Sequence, residues 1–189
     1  MSDNWEKLRS DCETCQGCEL HKTRTNCVFG VGDLNADVLF VGEAPGDNED
    51  KTGTPFVGRA GKLLDSYLYA VDIPRESVYI ANILKCRPPK NRDPLPAEED
   101  ACMEFLRRQV RLLKPKMIVC LGRISAMRLI DPKYKITKEH GQWVQKGDLL
   151  MTAVYHPALL LRDPRYKEAM LEDMKAIKAK LDELCAKEG

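Results

Sequence analysis

The chain has 189 residues and a formal net charge of +1. That length supports one sizeable core, and near-neutral charge confines any nucleic-acid-binding surface to a local patch. No apolar run is long enough to cross a bilayer. The polar amino-terminal "MSDNWEKLRSD" shows no secretory signal, so a cytoplasmic location is expected.

In chain order, Trp5, Leu8 and Cys12 stand at helical spacing, predicting a short helix that leads into a cysteine cluster. "ADVLFVG" (36–42) reads as a buried strand. "GEAPGDNED" (42–50) follows as a glycine-rich loop, and "GRAGKLLDSYLYAV" as a helix with Ala60, Leu63, Leu64, Tyr67 and Leu68 on one stripe. "SVYIANIL" (77–84) is a second strand. "KCRPPKNRDPLP", with four prolines in twelve residues, is loop. "AEEDACMEFLRRQVRLLKP" is a helix with acids at its positive end and Pro115 past its close. "MIVCLG" (117–122) is a third strand, "RISAMRLI" a short helix and "DLLMTAVYHP" (148–157) a fourth strand. The last helix carries Tyr166, Met170, Met174, Ile177, Leu181 and Leu184 on one side.

Strands alternating with helices imply a three-layer α/β/α domain around a four-stranded, mostly parallel sheet. The whole chain, 1–189, reads as one domain. Ligands of such sheets bind beyond the carboxyl ends of the strands. "GEAPGDNED", "ANILKCRPP", "LGR" and "YHPALLLR" lie there. The first of these lacks the lysine and hydroxyl of a nucleotide phosphate loop and instead carries Glu43, Asp47, Glu49 and Asp50.

Eight cysteines need a reason in a reducing compartment. Cys12, Cys15 and Cys18 repeat every third residue, but Lys22 stands where a ferredoxin run needs its fourth cysteine. A C-x2-C pair therefore needs a second pair, which Cys86 and Cys102 supply. Four thiolates from two segments, 12–27 and 86–102, fit either zinc or an iron–sulfur cluster. Cys120, in an apolar strand, and Cys185 read as unligated thiols; Cys12 and Cys27 stay ambiguous. His21 and His140 read as surface residues.

"CQGCELHKTR", "GEAPGDNEDKTGTPFVGRAG", "ANILKCRPPKNRDP" and "YHPALLLR" together resemble the family 4 uracil-DNA glycosylases, the iron–sulfur branch of their superfamily. The likeness runs in order from about Cys15 to Arg162. It implies a [4Fe–4S] cluster, in preference to zinc, on Cys15, Cys18, Cys86 and Cys102, with a structural role. It implies excision of uracil from DNA, leaving an abasic site. The implied partner is uracil-containing DNA, single- or double-stranded, with no membrane, and the chain is expected to act as a monomer.

The same resemblance assigns His156 as donor to uracil O2, Asn82 as reader of the base edge and Phe56 as stacking platform. Backbone groups of Glu43 and Ala44 would line the pocket. Ala44 and Gly46 stand where the best-known uracil glycosylases carry an aspartate and a tyrosine. Glu49 is then the first candidate, and Glu43 the second, for a carboxylate beside the cationic sugar or its attacking water. Lys62, Arg87, Lys90, Arg92, Arg123 and Arg162 are expected to grip phosphate. Leu159 or Leu160 is expected to wedge into the gap left by the flipped base. After "NRDP" the chain lacks the basic, histidine-bearing insert of a related covalent-trapping branch, so turnover without a stable adduct is expected. Two rival readings are a metal-stabilised, non-enzymatic nucleic-acid-binding module and a redox-sensing iron–sulfur protein.

Overall fold

The computed structural model describes residues 4–186. Its helices are α1 (Trp5–Glu13), α2 (Asp47–Thr52), α3 (Arg59–Ala70), α4 (Pro96–Leu113), α5 (Arg123–Leu129), α6 (Ile136–Glu139), α7 (Pro157–Arg162) and α8 (Lys167–Ala186). Its strands are β1 (Val31–Gly32), β2 (Val38–Gly42), β3 (Tyr79–Asn82), β4 (Met117–Leu121), β5 (Val144–Lys146) and β6 (Leu149–Val154). The sheet order is β1-β3-β2-β4-β6-β5.

The four expected strands are the central ones, and β3, β2, β4 and β6 pair in parallel. The expected count of four is corrected to six. Two short edges, β1 and β5, pair antiparallel to β3 and β6. At two and three residues they are too short to leave an alternating pattern in the sequence.

Side chains leave the sheet alternately. Leu39 and Val41 join Ala81, Ile118, Cys120 and Ala153 in a core against Met103 and Leu106 of α4 and Ala126 of α5. Val38 and Phe40 face the other way, with Ile80, Val119 and Val154, onto Leu64 and Leu68 of α3 and Met170, Met174 and Ile177 of α8. Phe40 is fully buried, and truncating such a side chain to alanine costs roughly 3–5 kcal/mol.

Local chemistry sets the element ends. Pro96 opens α4, and the Glu98 carboxylate accepts the Leu95 N–H at 2.9 Å. Lys114, at φ 51°, closes the same helix in the left-handed region. The acid-rich segment read as loop contains a helix, α2. Glu49 caps it through the Gly46 N–H (3.1 Å), and Gly53 ends it at φ 72°. A second unforeseen helix, α7, starts directly at His156, its N-cap.

Candidate active site

Gly42 ends β2 and Asn82 ends β3, opposite each other in register. A Cβ built on Gly42 would lie 2.3 Å from Asn82 Oδ1 and 2.6 Å from Phe56 Cζ. Only glycine leaves room for the carboxamide and the ring to approach the same strand end. Asn82 is 2% exposed, and its Oδ1 is buried with no hydrogen-bond partner among the described residues. A buried acceptor left unpaired costs about 1–3 kcal/mol, so such a group marks a place where a ligand N–H belongs.

The Phe56 ring centroid is 5.8 Å from that of His156 at an interplanar angle of 35°. Phe56 sits at φ 54°, an unusual conformation for a bulky residue. Several contacts hold it there. Glu49 Oε1 accepts the N–H groups of Val57 (3.0 Å) and Gly58 (2.8 Å). Arg75 Nη2 donates to the carbonyls of Pro55 (3.0 Å) and Phe56 (3.2 Å) and its guanidinium pairs with Asp65. Gly61 lets α3 pack directly on the Phe56 backbone, since a Cβ there would meet Phe56 O at 1.8 Å.

His156 follows β6, beside Gly122 at the end of β4; a Cβ on Gly122 would lie 2.8 Å from His156 Cβ. His156 Nδ1 accepts the Ala158 N–H at 3.1 Å. That bond leaves the ring proton on Nε2. Burial, then the Arg162 guanidinium, pushes the His156 pKa down to about 4, with Glu49 pulling the other way. The ring is therefore a neutral donor at physiological pH, with Glu49 within its electrostatic reach.

The four acids of residues 42–50 have separate roles. Asp47 pairs with Lys51 and with Arg87 (2.6 Å). Glu49 takes the three backbone N–H groups already named. Asp50, buried, accepts the Thr25 N–H at 2.9 Å, and Asn26 Nδ2 returns a bond to Asp50 O at 2.8 Å. Glu43 is half-buried at the mouth of the strand ends, near Asp93, Arg123 and Glu99. Burial, then the Asp93 carboxylate, pushes its carboxyl pKa up to about 7. Ala44 is partly buried and packs on the α4 side of the sheet.

The expected phosphate-gripping cations divide into two groups. Lys62, Lys90 and Arg162 are exposed and have no ion pair among the described residues. Arg92 instead forms a two-pronged pair with the buried Glu98 (2.6 and 2.9 Å), and Arg87 is held by Asp47 and Asn91. Arg123 meets Asp93 at 3.2 Å, with both side chains exposed. A surface pair of that kind is worth at most about 1 kcal/mol, so Arg123 can exchange its partner. Leu160 as wedge is a correction: it is fully buried against the α3–α8 core, because the phase of α7 turns it inward. Leu159 is partly buried and Leu161, at 37% exposure, points outward.

Cys15, Cys18, Cys86 and Cys102 line one cavity, with Cys12, His21, Arg24 and Lys85 also in its wall. Among the described residues no three His, Cys, Asp or Glu side chains are grouped to hold a single metal ion. The four thiols gather at one place in the fold, a donor set suited to a soft metal ion or an iron–sulfur cluster. Three of them already receive N–H donors. Gly17 N reaches Cys15 at 3.3 Å, Lys85 N reaches Cys102 at 3.4 Å and Arg24 Nη1 reaches Cys86 at 3.1 Å. Such donors stabilise thiolate ligands. Burial raises the Cys86 thiol to about 11 and Cys102 to about 12. Both keep their protons unless a cation displaces them.

One site-facing residue was not singled out from sequence. Lys85 is 1% exposed; its Nζ donates to Asn82 O (2.8 Å) and Gln109 Oε1 (2.7 Å). A lysine beside a cysteine carries no signal of burial. Nor are the two remaining histidines simple surface groups. His21 lines the cysteine cavity, and His140 Nδ1 meets Asp173 at 2.7 Å while its ring stacks on Tyr155 (4.6 Å). Cys120 is buried in the sheet, as its apolar neighbours indicate.

Residues 29–176 match the family model described as the uracil DNA glycosylase superfamily. Curated type-4 uracil-DNA glycosylases are similar over nearly the whole chain. The Archaeoglobus fulgidus protein is 46% identical over 92% of this chain and 89% of its own length. The Thermotoga maritima protein is 44% identical, covering 87% and 88%, and the Sulfurisphaera tokodaii protein 42%, covering 93% and 84%.

Proposed function

We propose, since this chain belongs to the uracil DNA glycosylase superfamily and within it to the type-4 uracil-DNA glycosylases, that it excises uracil from DNA and leaves an abasic site. The observation that carries this reading is the unpartnered, buried Asn82 Oδ1 beside Phe56 and His156. A flipped uracil supplies the missing donor, its N3–H, and presents O4 to the other side of the carboxamide. Cytosine offers an acceptor at N3 and a donor at the exocyclic position, so the same amide leaves both unmatched. Sites built on such bonds reject the mismatched analogue strongly. The Phe56 ring stacks on the base.

As the bond from sugar C1′ to base N1 stretches, the sugar becomes cation-like and the base anion-like. His156 Nε2–H donates to O2 as charge develops there, without adding a full positive charge. Glu49, fixed by three backbone N–H groups, is an anion on the sugar side. Glu43, able to lose its proton near neutrality, orients the attacking water. Water adds to C1′ as the base leaves, so no stable adduct forms. Lys62, Lys90 and Arg162, joined by Arg123 when it leaves Asp93, hold phosphates. Arg87 and Arg92 brace the loop. Leu161 replaces Leu160 as wedge.

Cys15, Cys18, Cys86 and Cys102 hold a [4Fe–4S] cluster, which pins the segment 12–27 to the proline-rich loop. The chain acts as one domain.

The test is release of uracil from an oligonucleotide under single-turnover conditions. His156→Ala is expected to lose roughly 10²–10³-fold in rate, and Asn82→Ala to lose rate and discrimination together. Unchanged excision by both variants would reject this pocket as the active site.

A further inference from the structure

Cys12 and Cys27 lie outside the four-thiol set and face each other, Sγ to Sγ, at 3.2 Å. Both are free thiols; Cys12 is buried and Cys27 partly exposed. They sit in a small apolar cluster with Leu8, Phe29, Trp5, Phe105 and Leu112, between α1 and the segment entering β1. The chain between them carries Cys15 and Cys18.

We propose that Cys12 and Cys27 are an oxidisable dithiol whose disulfide staples the strap bearing two of the cluster thiolates. Closing the bond needs an approach of about 1.2 Å, to the ~2.05 Å of a disulfide. Cys27 is the accessible partner and Cys12 the resolving one. The hydrogen bond from Cys12 holds the Cys27 thiol below its ordinary pKa, with Arg24 adding to that effect.

The chemistry is thiol–disulfide exchange with a small-molecule disulfide, RS–SR. The Cys27 thiolate attacks one sulfur, forming a mixed disulfide and releasing RS⁻. Cys12 gives its proton to solvent and attacks the Cys27 sulfur, expelling a second RS⁻. Two protein thiols are oxidised to one disulfide, and one RS–SR is reduced to two RSH. The bond closes a loop around Cys15 and Cys18, so the strap loses freedom to leave the body of the protein. This consequence rests on the cluster proposed above; the dithiol itself does not.

The experiment equilibrates the iron-loaded protein, anaerobically, across ratios of oxidised to reduced glutathione. Remaining thiols are alkylated and the peptides mapped by mass. The expected product is a Cys12–Cys27 link, two hydrogens lighter than the dithiol, and absent from Cys12→Ser and Cys27→Ser. Iron release to a chelator should then be several-fold slower in the oxidised than in the reduced wild type, with no such difference in Cys27→Ser. Full alkylation of both thiols at the most oxidising ratio, or a link from Cys12 to Cys15 or Cys18, would overturn the dithiol. A proven link with unchanged iron release would overturn the staple. A preparation with no iron would overturn the cluster and with it the staple, while the peptide map alone would still decide the dithiol.

Discussion

The His156 ring is set neutral by burial and then by the Arg162 guanidinium, while the Ala158 N–H on Nδ1 leaves its proton on Nε2. Its pKa near 4 keeps the donor form intact well below neutrality. Glu43 moves the opposite way: its pKa is raised from 4.5 to about 7, so it is protonated below that and ionised above. The excision rate should therefore rise with pH through about 7, and Glu43→Gln should be slow and flat across the same range. A rise that persists unaltered in Glu43→Gln would assign it to another group. At this scale the sequence was informative where a residue is the reagent. Asn82, Phe56 and His156 each lie inside a motif, and the structure brings all three together. It was silent where a residue acts by being small or hidden. Gly42 is essential because of what stands opposite it in β3, and Lys85 is buried by elements distant in the chain.

Among the elements, α2 changes the reading most. A glycine- and proline-rich acidic stretch has no apolar periodicity, so it reads as loop; its helix exists because Glu49 caps Gly46 and Gly53 supplies a left-handed end. Glu49 also holds the start of α3 and, through Val57, the strained Phe56 backbone. Glu49→Gln keeps one oxygen acceptor and removes the charge. We expect single-turnover excision to fall tenfold or more and unfolding stability to fall by about 1–3 kcal/mol, read by denaturant titration. Loss of excision at unchanged stability would isolate the electrostatic part; the reverse would make the residue purely a brace. The helix α7 was hidden for a related reason. In "YHPALLLR" the three consecutive leucines fix no face, and only the start at His156 decides that Leu160 turns inward and Leu161 outward.

For the molecule as a whole, the layered architecture followed from the alternation of strand and helix patterns, since buried parallel strands are continuous apolar runs. The pairing of Cys15 and Cys18 with Cys86 and Cys102 spans about seventy residues, and spacing alone left zinc and iron–sulfur open; the structure brings the four thiols to the wall of one cavity. Cys86→Ser should lose iron, measured by metal analysis, and lower the melting temperature. Ligand binding to the native state adds directly to folding free energy. Asp50 gives that loss a particular route. It fastens residues 25 and 26, at the far end of the thiol-bearing strap, to the same short helix whose Glu49 aims the Phe56 ring. Losing the proposed sulfur-held centre would thus slacken the aromatic shelf on which a damaged base rests, and the thoroughness of genome upkeep would then answer to the supply of iron.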